Sequence, residues 1–326
     1  MIGFFYKKAI LATNQNQQKM IIETTNLNFQ FQKNKKLLNK VSIHVPEKSI
    51  YGFLGPNGAG KSTTIRLITG LLGEQNPGEI ALFGKPLADQ LPTVFSQMGC
   101  IIETPTLYGH LTGLEHLQFI ATLQNIAHAD FTDILDLVGL VHAQHLKAKK
   151  YSLGMKQRLS IAMALINKPK LLILDEPVNG LDPQGIIEMR LLLQKLNREH
   201  NITIFISSHI LAEVEKLCTH VGILHNGELK FEGTMAELKA KNNGTSVLVE
   251  VDNVSKHTEF IQQKYPIEVV NENEFLVHLN TKEEVPTLLS FLINNNISVY
   301  KMQPQGGLEE WFINLTKPVK NYETTI

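Results

Sequence analysis

Apolar residues in this chain recur in short runs that predict buried strands, and helix-spaced apolar residues follow them. Runs of strand length fill residues 50–54, 171–174 and 202–206. Apolar positions three or four residues apart follow the first two runs and predict amphipathic helices; they are Ile65, Ile68, Leu71, Leu72, Ile186, Met189, Leu193 and Leu196. This order predicts an α/β fold with a mostly parallel sheet and flanking helices.

The middle of the chain differs in pattern, because apolar residues there recur at helical spacing without strand-like runs between them. We predict a helix-rich subdomain over about residues 104–164. Its predicted apolar positions are Leu114, Leu117, Ile120, Leu123, Ile134, Leu137, Val138 and Leu140. The two stripes are expected to pack inward.

Strand and helix patterns alternate again near the carboxyl end, over residues 245–326, and predict a small α+β module. Its predicted strands are residues 246–251, 266–270, 274–279 and 297–302, and its predicted helices are residues 260–265, 285–294 and 308–316. The last helix carries the apolar stripe Leu308, Trp311, Phe312 and Leu315, most simply interpreted as core; the alternative is that Trp311 faces a partner. A polar stretch containing glycine, residues 239–246, suggests a linker before this module.

These patterns predict a main domain over residues 21–240 and an accessory domain over residues 245–326. We interpret residues 1–20 as an extension that is disordered. Met20 stands directly before a strand pattern, so translation could start there.

Composition narrows the class of protein. The 326 residues carry 31 Lys plus Arg and 31 Asp plus Glu, so the formal net charge is zero, and 43% of the residues are apolar. This balance excludes a disordered chain and removes the bulk electrostatic argument for nucleic-acid binding. The two cysteines, Cys100 and Cys218, lie too far apart to suggest a zinc site. No apolar run reaches the roughly 18 residues of a membrane span.

The first strand leads into a phosphate-binding loop. The pattern G-x-x-x-x-G-K-[ST] occupies Gly55, Pro56, Asn57, Gly58, Ala59, Gly60, Lys61, Ser62 and Thr63. Glycines let backbone N–H groups approach phosphate oxygens, and the helix that starts here directs its positive end toward them. We predict that Lys61 contacts the β- and γ-phosphates and that the Ser62 hydroxyl binds Mg²⁺.

Two carboxylates follow the second strand, where ligands bind in open α/β sheets. Asp175 is predicted to hold Mg²⁺, and Glu176 to orient and polarise the attacking water. The third strand ends in Ser207, Ser208 and His209, and His209 is placed to sense the γ-phosphate.

Taken in order, these motifs resemble the ATP-binding subunit of ABC transporters. Residues 152–158, SLGMKQR, look like the family's signature motif, and residues 179–183, NGLDP, resemble its D-loop. The resemblance covers about residues 21–240. It implies that Ser152 and Gly154 complete the ATP site of a partner subunit and that Asp182 is also among the nucleotide-binding residues. Asp182 can in addition N-cap the helix that follows it. The resemblance also implies a P-loop NTPase core with a helical subdomain.

An aromatic residue that stacks on adenine is expected upstream in this family. Phe31 is the best placed, with Phe29 as the alternative. The family usually has a Gln where this chain has Glu103, which would contact Mg²⁺ or the catalytic water; Gln97 is the alternative in a shifted register. Glu103 and the signature wording resemble a narrower branch, the ATPases of bacitracin-resistance and lantibiotic self-immunity exporters.

The resemblance implies an ATPase that uses ATP and Mg²⁺, works as a homodimer or heterodimer, and drives separate membrane permease subunits. Residues Glu103 to Leu111 would contact the permease. The protein would sit peripherally on the cytoplasmic face of the membrane and export a peptide antibiotic. The alternatives are an ABC ATPase for another cargo, such as a drug or lipid, and an ABC-type ATPase that transports nothing.

Overall fold

The computed structural model describes residues 19–305, apart from residues 33–34, 77, 104–105, 128–129, 241–244, 280 and 282, together with residue 312. It divides into two units, Met1–Glu232 and Gly233–Ile326. The domain limits expected from sequence, residues 21–240 and 245–326, stay predictions. The predicted extension of residues 1–20 lies outside the described residues up to residue 18, and the first strand begins at Met20.

A six-stranded sheet forms the centre of the first unit, in the order β12-β11-β5-β10-β9-β8. Its strands are β5 (Ile50–Leu54), β8 (Met98–Ile101), β9 (Leu171–Asp175), β10 (Thr203–Ser208), β11 (His220–His225) and β12 (Glu228–Thr234). The five strands from β11 to β8 run parallel. Strands β5, β9 and β10 are buried along their whole length, as continuous apolar runs require. This confirms the predicted α/β fold.

The register of the parallel strands decides where the polar residues meet. Ser207 of β10 lies opposite Asp175 of β9, and Ser208 lies opposite Leu54 of β5. The residues that follow these strands therefore emerge at one edge of the sheet. That edge is the carboxyl edge, where open α/β sheets bind their ligands.

Two smaller antiparallel sheets complete the strands of this unit. One has the order β4-β1-β6-β7, and the other pairs β2 with β3. Their strands are β1 (Met20–Thr24), β2 (Leu27–Gln32), β3 (Lys35–Val41), β4 (His44–Pro46), β6 (Ile80–Leu82) and β7 (Lys85–Pro86). Buried apolar residues of β1–β4 and β6 share one core with residues of β5, β9 and β10.

The helices of the first unit mostly begin at residues that cap them. They are α1 (Lys61–Ile68), α2 (Gly113–Leu123), α3 (Phe131–Leu137), α4 (Leu153–Leu165), α5 (Pro183–His200) and α6 (Leu211–Leu217), with 3₁₀ turns at Ala88–Gln90, Thr93–Gln97, Val141–Ala143 and Ala148–Lys150. Thr112 and Glu115 form a reciprocal capping box at the start of α2.

The helix-rich subdomain is present, but its predicted stripe residue Leu123 is exposed. Leu71, which was predicted on the apolar face of the helix after the phosphate-binding loop, is exposed as well. Leu123, the last residue of α2, is 62% exposed. Leu71 is 65% exposed, because α1 ends three residues earlier at Ile68. Leu135, which the stripe did not include, is fully buried.

The second unit contains helix α7 (Met235–Ala240) and an antiparallel sheet in the order β14-β15-β13-β16. Its further elements are β13 (Thr245–Val251), α8 (Val254–Gln262), β14 (Ile267–Val269), β15 (Glu274–Leu279), α9 (Glu284–Asn294) and β16 (Val299–Gln305). Strand and helix residues share a core of their own, as an α+β module requires. The predicted helix 308–316 and its apolar stripe lie outside the described residues, except for Phe312.

Candidate active site

The loop between β5 and α1 adopts a conformation that requires its glycines. Gly58 and Gly60 have φ values of 80° and 111°, in the region that side chains disfavour. A Cβ atom at Gly60 would also come within 2.6 Å of the Leu38 side chain. The first N–H groups of α1 have no acceptor within the helix, so this loop offers an anion-binding end to a phosphate.

Lys61 is buried inside this loop, with only 6% of its surface exposed. Its Nζ donates to the Gly55 carbonyl at 2.8 Å and lies 3.4 Å from Oε1 of Glu176. The ammonium group is therefore held by the loop beside the carboxylate that follows β9. From this position it can bind phosphate oxygens that the loop receives.

A serine that we did not single out from the sequence bonds to both acidic residues, to the side chain of one and the backbone of the other. The Ser207 hydroxyl donates to Oδ1 of Asp175, and it accepts a hydrogen bond from the Glu176 N–H at 2.9 Å. Ser207 is completely buried. Its position at a strand end was visible in the sequence, but its two bonds follow from the register of β9 and β10.

Glu176 lies between two basic side chains. Its Oε2 lies 2.8 Å from Nδ1 of His209, while its Oε1 faces Lys61. Its backbone has φ of 50°, an uncommon value for a residue with a long side chain. Such strained residues cluster at functional sites. The structure therefore brings together Lys61, Asp175, Glu176 and His209, as the sequence predicted for the carboxyl edge.

Glu103 stands two residues after β8, at the same edge of the sheet. Its side chain is 65% exposed and forms an ion pair with Arg66, in the last turn of α1. One of its two carboxylate oxygens, Oε1, therefore already faces a guanidinium group. The alternative residue, Gln97, precedes β8 and accepts from the Lys170 N–H at 2.9 Å. It lies at the amino end of the strand, so the shifted register was wrong.

The remaining predicted residues, Ser152, Gly154 and Asp182, line a groove of about 350 Å³ together with Leu181 and Gly185. The Ser152 and Asp182 side chains cap α4 and α5 by accepting from backbone N–H groups at 3.2 and 2.9 Å. The signature and D-loop segments therefore form one surface.

The two candidate aromatic residues differ sharply in exposure. Phe31 of β2 is 65% exposed, whereas Phe29 is 7% exposed and belongs to the core. The rings meet edge to face with centroids 4.9 Å apart. Of the two, only Phe31 offers a ring face to a planar ligand.

The oxygen donors at the carboxyl edge fit magnesium bound together with a substrate phosphate. In the described part of the chain, no three His, Cys, Asp or Glu side chains gather into a metal site. Magnesium prefers a few protein oxygens and completes its shell with water and substrate phosphates. The Ser62 hydroxyl and the Asp175 carboxylate are oxygen donors of this kind.

Among the helices the structure describes, none is both long and apolar enough to cross a bilayer.

Comparison with known proteins gives consistent results. The family model described as ABC transporter matches residues 38–179. The bacitracin transport ATP-binding protein BcrA of Bacillus licheniformis is 40% identical over 300 residues, which are 90% of this chain and 97% of that protein. The lantibiotic transport ATP-binding protein SrtF of Streptococcus pyogenes is 41% identical over 196 residues, 60% of this chain and 83% of SrtF.

Solved structures agree with this assignment. CbiO1 from Clostridium perfringens, part of the ABC transporter complex CbiONQ, superposes with a TM-score of 0.63 at 26% identity and covers 68% of this chain and 92% of its own. An ATP-binding subunit of another ABC transporter gives a TM-score of 0.59 at 34% identity, with the same coverage.

Proposed function

This chain belongs to the family of ATP-binding subunits of ABC transporters, and from that membership we propose that it drives export of a peptide antibiotic. The cargo would be of the bacitracin or lantibiotic type, because relatives with 40% and 41% identity carry those names. The chain would work at the cytoplasmic face of the membrane, with separate permease subunits providing the path for the cargo.

One observation carries the ATPase chemistry. Glu176 is held between His209, at 2.8 Å, and Lys61, at 3.4 Å, directly beside the phosphate-binding loop. A carboxylate fixed in this way can orient a water molecule toward a phosphate that the loop holds. His209 fixes the carboxylate, and Lys61 links its position to that of the phosphates.

The reaction follows from these positions. Glu176 polarises the water, whose oxygen bonds to the γ-phosphorus while the bond to the β–γ bridging oxygen breaks. ADP leaves with the bonding electrons, and the proton that the water loses passes to the Glu176 carboxylate. Lys61 and the loop N–H groups stabilise the charge on the phosphate oxygens. Ser62 and Asp175 would hold the magnesium ion, which when bound neutralises charge on the β- and γ-phosphates.

We further propose that two ATP-binding subunits pair head to tail. The groove lined by Ser152, Gly154 and Asp182 is a surface of small and capping residues, and its helix start at α4 offers N–H groups to an anion. In the pair, this groove would close on the ATP bound to the loop of the other subunit. ATP binding would close the pair, and hydrolysis would open it.

The permease contact is proposed beside Glu103. A cavity of about 330 Å³ lies between the edge strand β8 and helices α2 and α4, and it is lined by Ile101, Leu107, Ile120 and Met163, among others. It adjoins the segment Glu103 to Leu111. A permease segment seated there would contact both the sheet and the helical subdomain.

Growth inhibition tests the proposed cargo. Sensitive cells would express this chain with the permease genes encoded beside it and would be challenged with bacitracin and a panel of lantibiotics. Lys61→Ala removes the buried ammonium of the phosphate loop, and Lys48→Ala removes an exposed lysine before β5 as the matched control.

The proposal predicts protection against one class of peptide antibiotic. Protection should vanish with Lys61→Ala and persist with Lys48→Ala. Uniform sensitivity to the panel would contradict the cargo and turn the search to drugs and lipids. Protection that survives Lys61→Ala would contradict the ATP-driven mechanism itself.

A further inference from the structure

The turn between β11 and β12 lies against the phosphate-binding loop. Its two residues, Asn226 and Gly227, have φ values of 49° and 73°, which are typical of a tight two-residue hairpin. Strand β11 runs parallel to β5, with Ile223 opposite Leu54. The turn therefore emerges beside the loop that follows β5.

The backbone of Gly227 joins two segments that are far apart in the sequence. Its N–H donates to the carbonyl of Ala59, in the phosphate-binding loop, at 3.1 Å. Its carbonyl accepts from the N–H of Asn39, in β3, at 2.8 Å. One peptide group on each side of Gly227 thus links the loop to the β2–β3 hairpin, which carries Phe31.

A side-chain bond reinforces this link. Nδ2 of Asn39 donates to Oε1 of Glu228, the residue after Gly227, at 2.8 Å. Hydrogen bonds from Lys230 and then from Asn39 lower the pKa of the Glu228 carboxyl, so it is an ionised acceptor at neutral pH.

The three segments also fit closely. A Cβ atom at Gly227 would overlap the carbonyl oxygen of Leu37, so the turn touches the backbone of β3. The fully buried Leu38 in turn packs over Gly60 of the phosphate-binding loop. The hairpin and the loop are therefore in contact directly and through Gly227.

We propose that Asn39, Gly227 and Glu228 form a clasp that fixes the adenine-binding hairpin relative to the phosphate-binding loop. These are positioning residues, because the phosphates and the adenine would contact other side chains. The clasp sets the spacing between Phe31 and the loop, and thereby the affinity for a triphosphate that carries a base. This proposal rests on the proposed function, because it needs Phe31 to face adenine.

Asn39→Ala is the variant that tests the clasp. It removes the side-chain bond to Glu228 and leaves the backbone bonds of Gly227 in place. Binding to the purified full-length chain would be measured with ATP and with inorganic tripolyphosphate, which lacks the base. Loss of one hydrogen bond corresponds to about fivefold in affinity.

We expect the dissociation constant for ATP to rise about three- to tenfold in Asn39→Ala, and that for tripolyphosphate to stay within about twofold. The double variant Asn39→Ala/Glu228→Ala should lose no more than the worse single variant, because both remove the same bond. Gly227→Ala should show the same pattern more strongly if it folds.

Asn197→Ala is the matched control. Like Asn39, Asn197 donates hydrogen bonds through its side-chain amide. Its acceptors are the backbone carbonyls of Lys48 and Ile202, at the amino end of the sheet. The Asn197→Ala variant should leave both affinities unchanged. Equal weakening of ATP and tripolyphosphate, or no weakening of either, by Asn39→Ala would overturn the clasp.

Phe31→Ala distinguishes failure of the clasp from failure of the adenine-site assignment on which the clasp rests. If Phe31→Ala weakens ATP binding and Asn39→Ala does not, the clasp is wrong and the adenine site stands. If Phe31→Ala has no effect, the assignment of the adenine site itself is wrong.

Discussion

Replacing Ser207 by Ala removes a hydroxyl that bonds to the Asp175 carboxylate and to the Glu176 backbone. The hydroxyl donates to Asp175 and accepts from the Glu176 N–H at 2.9 Å, and it is completely buried. A hydrogen bond to a charged group contributes about 1.5–3 kcal/mol, and a neutral one about 1 kcal/mol. Part of this energy stabilises the fold, and part orients Glu176 for attack.

If the lost orientation raises the activation free energy by about 2 kcal/mol, kcat falls about thirtyfold. The KM for ATP should change less than threefold, because the phosphate loop is untouched. Phosphate release from the purified chain measures both constants, and thermal unfolding reports the separate loss of stability.

Ser208→Ala is the matched control for this prediction. Ser208 is the next residue, is equally buried, and its hydroxyl bonds only with the backbone of Ile210, at 3.0 and 3.5 Å, among the contacts described. Its kcat should stay within about threefold of the wild-type value. A Ser207→Ala variant with unchanged kcat, or one that loses no more than Ser208→Ala, would show that Ser207 does not orient Glu176 for attack.

Three further predictions follow from the site. Phe31→Ala should raise the KM for ATP about tenfold, within the range that loss of a base–aromatic stack produces; an unchanged KM in a steady-state ATPase assay would contradict this role. Glu103→Gln should keep ATP binding. Arg66→Gln should alter transport-linked ATPase activity less in the Glu103→Gln background than in the wild type, because the ion pair is already broken there. Additive effects of the two substitutions would count against a coupled pair. Removing divalent cations with EDTA should abolish phosphate release and added Mg²⁺ should restore it; turnover that persists under chelation would contradict the assignment of Ser62 and Asp175.

Local patterns were sufficient to predict the three strands that carry the site. The apolar runs before Gly55, Asp175 and Ser207 each became a buried parallel strand, because a strand covered on both faces has to be apolar throughout. The same strands place Lys61, Glu176 and His209 at one edge. Their association was predictable because the carboxyl ends of parallel strands meet.

Other features depend on contacts between distant segments, which one-dimensional patterns do not specify. The bonds of Ser207 follow from strand register, and the Arg66–Glu103 pair joins a helix end to a strand end. Exposure of Leu71 follows from where α1 ends, whereas helical spacing indicates only which face a residue lies on. The link through Gly227 is invisible in the sequence, since an Asn-Gly pair indicates only a turn.

ATP hydrolysis by the Glu176→Gln variant tests whether Glu176 activates the attacking water. This variant keeps the size of the side chain but replaces the carboxylate that lies between Lys61 and His209. Phosphate release by the purified variant and the wild type would be compared, with particle mass measured in the presence of ATP. We expect at least about a hundredfold loss of turnover, retained ATP binding and an ATP-dependent dimer. Turnover at the wild-type rate would contradict the assignment of Glu176 as the residue that activates water.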